Sequence, residues 1–346
     1  MTRGLYTISM SRVLNIGVVM GGPSSEREIS LLTGKHVVEG LSEAGHNPTP
    51  VFVVESENWF LGRTRGIAYD PLDVCAQFDV MFNALHGAYG EDGRVQQIFE
   101  RCRVPYTGSG VAASAFAMNK IMSREIFKNA GLRVPPAVML RKDTYNPRLD
   151  LAEVHRMSAP PWIVKPASGG SSIGVSKVWT LSELANVIEY VLSMDTAVLI
   201  EEYITGRELT CGILEHFEGE TYHALHPVEI VPPEGELFTY AAKYDGTTQE
   251  LPAPFFGEML RHVKQTAITA HTALGCRHYS RTDMIIKGTT IYVLETNTLP
   301  GLTAESLFPK AASWSKVLFP QLLHHITQLA IGYDLSTGEF FKEYAA

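Results

Sequence analysis

Alternating apolar and polar stretches predict an α/β chain. Val13–Met20 has the pattern of a buried strand, and a glycine-rich turn at 21–25 follows it. Ser25 and Glu28 have the spacing of a capping box, so a helix is expected to begin there. Two more strand patterns complete the first unit, at Val51–Val54 and Phe78–Leu85. Strand, helix and strand in this order predict a parallel, Rossmann-like sheet.

Two further α/β units are predicted after the first one. The second contains a helical segment at 108–132, a polar loop at 142–158 and a helix at Leu181–Leu192. The third contains a long loop at 231–254, a helix at Gly257–Leu274, a hairpin and terminal helices. We therefore expect a disordered extension and three structural units, at residues 1–12, 13–108, 109–204 and 205–346.

Near the C-terminus, two strand-like runs surround a glycine turn and carry candidate chemistry. Arg281–Lys287 contains Asp283, and Thr290–Thr296 contains Glu295 and leads to Asn297. Alternate side chains of a strand share a face, so Glu295 and Asn297 point the same way, and pairing of the runs adds Asp283. Three hard oxygen ligands predict a Mg²⁺ site beside nucleotide phosphates. By itself the pattern also fits a solvated hairpin face.

A glycine- and serine-rich turn follows the apolar strand that ends at Lys165. The turn reads Ser-Gly-Gly-Ser-Ser over residues 168–172, and the chain returns to a strand near Val175. Small residues let backbone N–H groups approach phosphate oxygens, and the lysine adds positive charge. The pattern is strand–turn–strand, unlike the strand–turn–helix of a Walker loop. It predicts a phosphate-binding loop, with a flexible hairpin as the alternative.

A short acidic segment about 30 residues later is a candidate nucleotide-base site. Glu201 and Glu208 bracket this segment, which directly follows an apolar strand. Backbone groups from Glu202 to Ile204 are suited to contact an adenine edge, while a carboxylate accepts ribose hydroxyls. Taken alone, the segment also fits an ordinary strand end at the surface.

Composition narrows the class of protein. Hydrophobic residues make up 45% and charged residues 19% of the 346 residues, as in globular proteins. The net charge of -8 argues against general nucleic-acid binding. The apolar runs are all shorter than the roughly 18 residues of a membrane span. Four scattered cysteines lack zinc-type spacing and suit reduced thiols. We expect a cytoplasmic protein with small-molecule partners and without nucleic-acid or membrane partners.

In order and combination, these motifs resemble the D-alanine–D-alanine ligase family of the ATP-grasp superfamily. The sequences HGAYGEDG (86–93), PYTGSG (105–110), AAKY (241–244) and NTLPGLT (297–303) add to the resemblance, which covers about residues 13–330. It implies a three-unit ATP-grasp architecture with a Rossmann-like N-terminal domain. It also implies a homodimer that uses ATP and two Mg²⁺ or Mn²⁺ ions. The implied reaction joins two D-alanines through a D-alanyl phosphate, for peptidoglycan synthesis.

The resemblance assigns roles to individual residues. On the substrate side, the resemblance assigns the ammonium of the first D-alanine to Glu26, with Ser171 and Tyr244 as the partners of this glutamate. It places His86 near the first substrate and makes Arg281 and the Gly301 N–H the donors to the oxyanion. It assigns the carboxylate of the second substrate to Ser306. On the nucleotide side they are phosphate-contacting lysines, a loop serine and the acidic segment: Lys120, Lys165, Lys243, Ser172, Glu201, Glu202, Ile204 and Glu208. The implied metal ligands are Asp283, Glu295 and Asn297.

Several positions depart from the family pattern. The long loop 231–254 is expected to be a lid that keeps water from the acyl phosphate. Thr239 and Ala241 stand where the family usually has lid carboxylates. Asn119 replaces an aspartate before the first phosphate lysine, and Gly169 replaces a glutamate in the phosphate loop. These changes bear on lid closure and on the phosphate loop, and not on the type of reaction.

Three alternative functions remain at this point. The nearest is a D-Ala–D-Lac or D-Ala–D-Ser ligase, although D-lactate enzymes typically lose the lid tyrosine that Tyr244 supplies here. An inactive ATP-grasp relative would bind nucleotide or a partner only, and the intact Arg281, Asp283 and Glu295 argue against it. A dehydrogenase built on the first unit would need a GxGxxG fingerprint, which the first turn lacks.

Overall fold

A computed structural model describes residues 12–170, 173–233, 247–334 and 339–340. Across these ranges, the helices are all too short or too polar to span a bilayer. Most of the predicted extension, residues 1–11, lies outside the described residues, but Arg12 donates a hydrogen bond to Asp79 at 2.8 Å. The described chain forms three main sheets and one two-stranded sheet.

The first unit is a mostly parallel four-stranded sheet. Its strands are β1 (Asn15–Gly21), β2 (Asn47–Val53), β3 (Trp59–Leu61) and β4 (Val80–Asn83). Its helices are α1 (Arg27–Glu43), α2 (Pro71–Cys75) and α3 (Arg94–Cys102). The strand order is β3-β2-β1-β4, with β1 parallel to both neighbours and β3 antiparallel to β2. The predicted parallel α/β unit is confirmed, and β3, α2 and α3 are additional elements.

The predicted capping box at the start of α1 is wrong. The helix begins at Arg27, and Glu26 is its N-cap residue without a side-chain capping hydrogen bond. Ser24 organises the turn instead of Ser25, because its hydroxyl accepts from the Glu26 N–H at 3.0 Å and donates to the His86 carbonyl at 2.6 Å. The carboxylate of Glu26 is therefore not used in a helix cap.

The second unit is an antiparallel sheet covered by helices. Its helices are α4 (Val111–Met118), α5 (Lys120–Asn129), α6 (Pro147–Met157) and α7 (Leu181–Met194). Its strands are β5 (Ala137–Arg141), β6 (Trp162–Pro166), β7 (Ser176–Val178) and β8 (Ala197–Glu202). The order is β5-β8-β6-β7, and all three pairings are antiparallel. The strand–turn–strand prediction around the phosphate loop is confirmed by the pairing of β6 with β7.

Two segments of the second unit differ from the predictions. The single helix expected at 108–132 is two helices, because Asn119 leaves the helical conformation and caps α5 by accepting from two backbone N–H groups at 3.1 Å. The polar loop expected at 142–158 contains α6. Asn146 is its N-cap and Pro147 its first residue, a combination that favours a helix start.

The third unit is a six-stranded antiparallel sheet with flanking helices. Its strands are β9 (Arg207–Phe217), β10 (Glu220–Ala224), β11 (Val228–Val231), β12 (Gln249–Pro252), β13 (Tyr279–Lys287) and β14 (Thr290–Asn297). Its helices are α8 (Gly257–Leu274), α9 (Leu307–Trp314) and α10 (Phe319–Ala330), and a short hairpin follows, with β15 (Tyr333–Asp334) and β16 (Glu339–Phe340). The main order is β12-β11-β9-β13-β14, with β10 on β9. Strand β12 lies inside the predicted lid loop, and residues 234–246 of that loop lie outside the described residues.

One hydrophobic core joins the first and third units. It combines side chains of β1, α1 and β4 with side chains of α9 and α10. Helix α10 lies so close to α1 that a Cβ atom at Gly40 would be 2.7 Å from Leu323 Cδ1. The buried imidazoles of His46 and His324 stack across the same contact and share a hydrogen bond of 2.8 Å. This packing fixes the first unit against the third.

Candidate active site

Two adjoining cavities bring most of the predicted site residues together. Those on the larger cavity, of about 500 Å³, are Glu26, His86, Lys120, Arg281, Glu295, Asn297, Gly301 and Ser306. Those on the smaller cavity, of about 350 Å³, are Lys120, Lys165, Glu201, Glu202, Ile204, Glu208, Asp283 and Glu295. Lys120, Gly170 and Glu295 line both cavities. A molecule in one cavity can therefore reach a molecule in the other.

The hairpin of β13 and β14 forms the floor where the cavities meet. Its register places Asp283 opposite Glu295 and Arg281 opposite Asn297, with a β-bulge after Asp283. The predicted pairing of the two runs is thereby confirmed. Arg281 binds both carboxylate oxygens of Asp283, at 3.0 and 3.1 Å, and Thr210 donates to the same carboxylate at 2.5 Å.

The three predicted metal ligands supply hard oxygen atoms on neighbouring strands. Asn297 Oδ1 accepts from the Leu299 N–H at 2.7 Å, which fixes the side-chain amide and leaves the oxygen a second lone pair. Within the part of the chain that the structure describes, no group of three or more His, Cys, Asp or Glu side chains is placed to hold a metal ion. The predicted set therefore depends on the amide of Asn297. Its two carboxylates and one amide fit the ligand chemistry of Mg²⁺.

Arg281 is a buried cation at the larger cavity. Burial disfavours its charge, but the carboxylates of Asp283 and Glu295 outweigh that effect and raise its pKa. These carboxylates therefore favour the charged form of the guanidinium. A buried, oriented cation of this kind can stabilise negative charge that develops on a reacting group.

The two lysines of the smaller cavity are held in different ways. Lys165 forms an ion pair with Glu201 at 2.7 Å, and Arg124 binds the other oxygen of the same carboxylate. Glu201 is 2% exposed, so its carboxylate serves these two cations inside the protein. Lys120 donates to the Gly169 carbonyl and lies 3.9 Å from Glu295. Burial lowers the pKa of Lys120, and Glu295 opposes this shift.

The substitution at Asn119 is explained by the local structure. An asparagine caps a helix as well as an aspartate does, and the Asn119 cap starts the helix that presents Lys120. Residue 119 also forms a β-bridge with Ser168 of the phosphate loop. The backbone N–H of Lys120 donates to the Ala167 carbonyl at 2.9 Å. Both contacts hold Lys120 against the loop without a carboxylate at position 119.

Glu26 lies between the first unit and the phosphate loop. A Cβ atom at Gly87 would be 2.7 Å from Glu26 Oε2, and one at Gly170 would be 3.7 Å from the same atom. Gly87 also has a φ of 68°, a conformation that favours glycine. The turn that Ser24 organises therefore places the Glu26 carboxylate beside the loop that carries Ser171.

His86 is a buried side chain with a hydrogen bond at one ring nitrogen and a carboxylate near the other. Its Nε2 and the Thr33 hydroxyl share a hydrogen bond of 2.9 Å, and its Nδ1 lies 3.7 Å from Glu91. Glu91 in turn accepts from the Gly87 N–H at 2.7 Å. The ring thus has a fixed orientation on the wall of the larger cavity.

Gly301 and Ser306 lie together on the larger cavity, next to His86. A Cβ atom at Gly301 would be 2.7 Å from Ser306 Oγ and 3.9 Å from His86 Cε1. The Ser306 hydroxyl bonds the backbone and the hydroxyl of Thr303, at 3.1 and 2.8 Å. Ser306 is also the N-cap residue of α9, where backbone N–H groups favour an anion.

Four of the predicted site residues lie outside the described residues: Ser171, Ser172, Lys243 and Tyr244. The lid substitutions Thr239 and Ala241 lie there as well. Sequence reasoning missed Thr33, Arg124 and Thr303, which hold predicted site residues in place. Arg124 follows Lys120 by one helical turn, a spacing that indicates a shared face, whereas the partners of Thr33 and Thr303 had no sequence signal.

This combination of a Rossmann-like unit, two antiparallel α/β units and a cavity pair between them defines an ATP-grasp enzyme. The family model described as "D-ala D-ala ligase N-terminus" matches residues 15–70 and 63–109. The family model described as "D-ala D-ala ligase C-terminus" matches residues 126–328. The chain belongs to the D-alanine–D-alanine ligase family.

Similar proteins cover nearly the whole chain. A protein named D-alanine–D-alanine ligase from Geotalea uraniireducens is 40% identical over 94% of this chain and 98% of its own length. A protein of the same name from Desulforamulus reducens is 37% identical over 92% of this chain and 99% of its own length. The ATP complex of the Bacillus anthracis D-alanine–D-alanine ligase matches with a TM-score of 0.76, 31% identity and coverage of 92% and 97%. A D-Ala:D-Ser ligase from Enterococcus faecalis matches with a TM-score of 0.81, 28% identity and coverage of 92% and 100%.

Proposed function

We propose that the protein uses ATP to join two D-alanine molecules, releasing ADP and phosphate, as a step in peptidoglycan precursor synthesis. The observation that carries the proposal is the meeting of the two cavities at Lys120, Gly170 and Glu295. ATP in the smaller cavity can direct its γ-phosphate to this point, and an amino acid in the larger cavity can present its carboxylate there. Because the reaction consumes ATP, we propose the cytoplasm as its location.

The first step makes the donor carboxylate reactive. A carboxylate oxygen of the first D-alanine attacks the γ-phosphorus of ATP, ADP leaves, and a D-alanyl phosphate forms. Lys120 and Lys165 neutralise phosphate charge in this step. Glu26 binds the donor ammonium, and we propose Ser171 and Tyr244 as the partners of Glu26. The ring of His86 lies beside the first D-alanine on the wall of the larger cavity. We further propose that Ser172 and Lys243 contact the phosphates.

The second step joins the two amino acids. Ser306 binds the carboxylate of the second D-alanine, whose neutral amine attacks the acyl carbon. The carbonyl oxygen becomes an oxyanion, which accepts hydrogen bonds from the Arg281 guanidinium and the Gly301 N–H. Each such donor is worth about 10²–10³ in rate in comparable sites. The attacking nitrogen loses a proton, phosphate leaves, and the amide bond remains.

The hairpin residues are the proposed holders of the metal. Asp283, Glu295 and Asn297 would bind Mg²⁺ or Mn²⁺, two ions in the full complex. When bound, the metal would neutralise charge on the phosphates of ATP. The adenine and ribose are assigned to the segment that includes Glu202, Ile204 and Glu208.

A D-Ala–D-Ser ligase is the second candidate function. The similarity to a D-Ala:D-Ser ligase structure favours it over a D-Ala–D-Lac ligase. We also propose a homodimer formed through the first unit, which light scattering of the purified protein can test.

One assay distinguishes these activities. ADP release and product mass are measured with ATP, Mg²⁺ and D-alanine alone, and then with D-serine or D-lactate added in equal amount. We expect D-alanyl-D-alanine as the main product in every mixture. ADP release without any ligated product would overturn the ligase proposal, and a predominant mixed product would move the assignment to the second candidate.

A further inference from the structure

A lysine on α9 connects two parts of the larger cavity that the reaction described above does not link. Lys310 Nζ lies 3.0 Å from Glu250 Oε2 and 3.0 Å from Glu305 Oε2. All three residues line the larger cavity. Burial disfavours the charge of Lys310, but its hydrogen bonds with Glu250 and Glu305 outweigh that effect and raise its pKa.

The two partners of Lys310 differ in their surroundings. Glu250 belongs to the edge strand β12, and its side chain is 15% exposed. Glu305 directly precedes Ser306, and its side chain is 88% exposed. Because water screens an exposed pair, the contact with Glu250 is the stronger constraint on the lysine.

The backbone of Lys310 is bonded to the backbone of Ser306. Its N–H donates to the Ser306 carbonyl at 3.2 Å and closes the first turn of α9. The side chain and the main chain of one residue therefore hold β12 on one side and Ser306 on the other. A shift of Lys310 would move the Ser306 hydroxyl within the cavity.

The connection continues to the smaller cavity. Glu250 pairs with Ile230 of β11, and Ile230 and its neighbour Val231 line the smaller cavity. The wall of the smaller cavity and the first turn of α9 are thus joined through Glu250 and Lys310.

We propose that Lys310 is a positioning residue for the second substrate, which fixes Ser306 against β12 through its ion pair with Glu250. This inference rests on the proposed function, in which Ser306 binds the carboxylate of the second D-alanine. It assigns to Lys310 no contact with the reacting atoms.

The test is a double-mutant cycle on the full-length enzyme with saturating ATP. Lys310→Met and Glu250→Gln are made singly and together, and the two Michaelis constants for D-alanine are obtained from initial rates. Each single variant should raise the constant for the second D-alanine about fivefold, and the double variant no further, because one ion pair is lost in each case. The constant for the first D-alanine, kcat and the nucleotide affinity should stay within about twofold of wild type.

Two matched controls separate positioning from a general loss of charge. Glu305→Gln removes the exposed partner of the same lysine and should change the constant for the second D-alanine less than about twofold. Lys35→Met removes a surface pair with Glu39 on α1 and should change nothing. Thermal unfolding of every variant monitors the fold.

The outcomes are distinct. Additive effects of Lys310→Met and Glu250→Gln would overturn the positioning role. An effect of Glu305→Gln as large as that of Glu250→Gln would overturn it as well. In either case, dipeptide formation by the wild type would still support the ligase activity. A wild-type enzyme that forms no dipeptide would overturn both the proposed ligase activity and the positioning role of Lys310. Equal increases in both Michaelis constants would show a general disturbance of the cavity and would also overturn the role.

Discussion

The two cavities hold their side chains by different means. In the smaller cavity, charged side chains bind one another: Lys165 and Arg124 share Glu201, and Arg207 binds both oxygens of Glu229 at 2.5 and 2.6 Å. In the larger cavity, beside the ion pairs of Arg281 and Lys310, neutral hydrogen bonds hold two of the proposed substrate-binding side chains. His86 bonds Thr33, and Ser306 bonds Thr303.

The difference indicates how each cavity responds to change. A buried charge that loses its partner is strongly destabilising, so the smaller cavity is coupled to the stability of the second unit. A neutral hydrogen bond contributes about 0.5–1.5 kcal/mol, so the contacts of His86 and Ser306 can be altered with the fold intact. The larger cavity also requires the first and third units to remain docked, which the smaller one does not.

Removal of the shared carboxylate in the smaller cavity should have the largest effect. Glu201→Ala leaves Lys165 and Arg124 buried without their common partner, so the free energy of unfolding should fall by about 3–5 kcal/mol. Urea denaturation measures this fall, with Glu202→Gln as the control on the neighbouring, less buried residue. Equal stability of the two variants would contradict the difference between the cavities.

Loss of the buried cation of the larger cavity should impair chemistry more than binding. Arg281→Met removes a proposed oxyanion donor, and kcat should fall by about 10²–10³. Nucleotide affinity, measured by calorimetry, should change little because the guanidinium lines the larger cavity only. A variant that loses nucleotide affinity while keeping kcat would assign Arg281 to the smaller cavity.

Acid should separate the units that enclose the larger cavity. Burial is the main cause that lowers the pKa of His324 to about 4, and the nearby His46 and His325 lower it further. The unfolded chain takes up this proton near pH 6.5, whereas the folded chain does not. The free energy of unfolding is therefore unaffected by this histidine above pH 6.5. As the pH falls from 6.5 towards 4, the free energy of unfolding decreases by up to about 3 kcal/mol.

The measurement is the free energy of unfolding of wild type and His324→Asn at pH 7.5, 6 and 5. The variant should show a smaller loss between pH 7.5 and 5 than wild type. Parallel curves for the two proteins would exclude His324 as a source of the acid sensitivity.

The smallest effect is expected from a neutral partner in the larger cavity. Thr33→Val removes the hydroxyl that binds His86, and the Michaelis constant for the first D-alanine should rise about fivefold, as for a lost hydrogen bond of ~1 kcal/mol. Thr33→Ser keeps the hydroxyl and should behave like wild type in the same initial-rate assay. If Thr33→Val abolished ligation, the neutral contacts would matter as much as the charged ones.

The sequence predicted best what depends on short spacing. The hairpin that carries Asp283 and Glu295 was predicted because period-two alternation is a local property, and α8 was predicted with its observed bounds. The start of α1 was mispredicted because Ser24 is held by the His86 carbonyl, 62 residues away. The same limitation applies to Glu201, since its partner Arg124 is 77 residues away.

The core shared by α1 and α10 has a consequence for the order in which the chain is made. Ribosomes synthesise α1 well before α10, yet each helix covers apolar surface of the other. During translation, the side of α1 that α10 later covers stays open to solvent until about residue 330 has emerged. Nascent chains stalled before α10 should therefore be cut by protease within the first unit, and chains stalled after it should resist. This arrangement makes the completion of the first unit a late event in the life of the nascent chain.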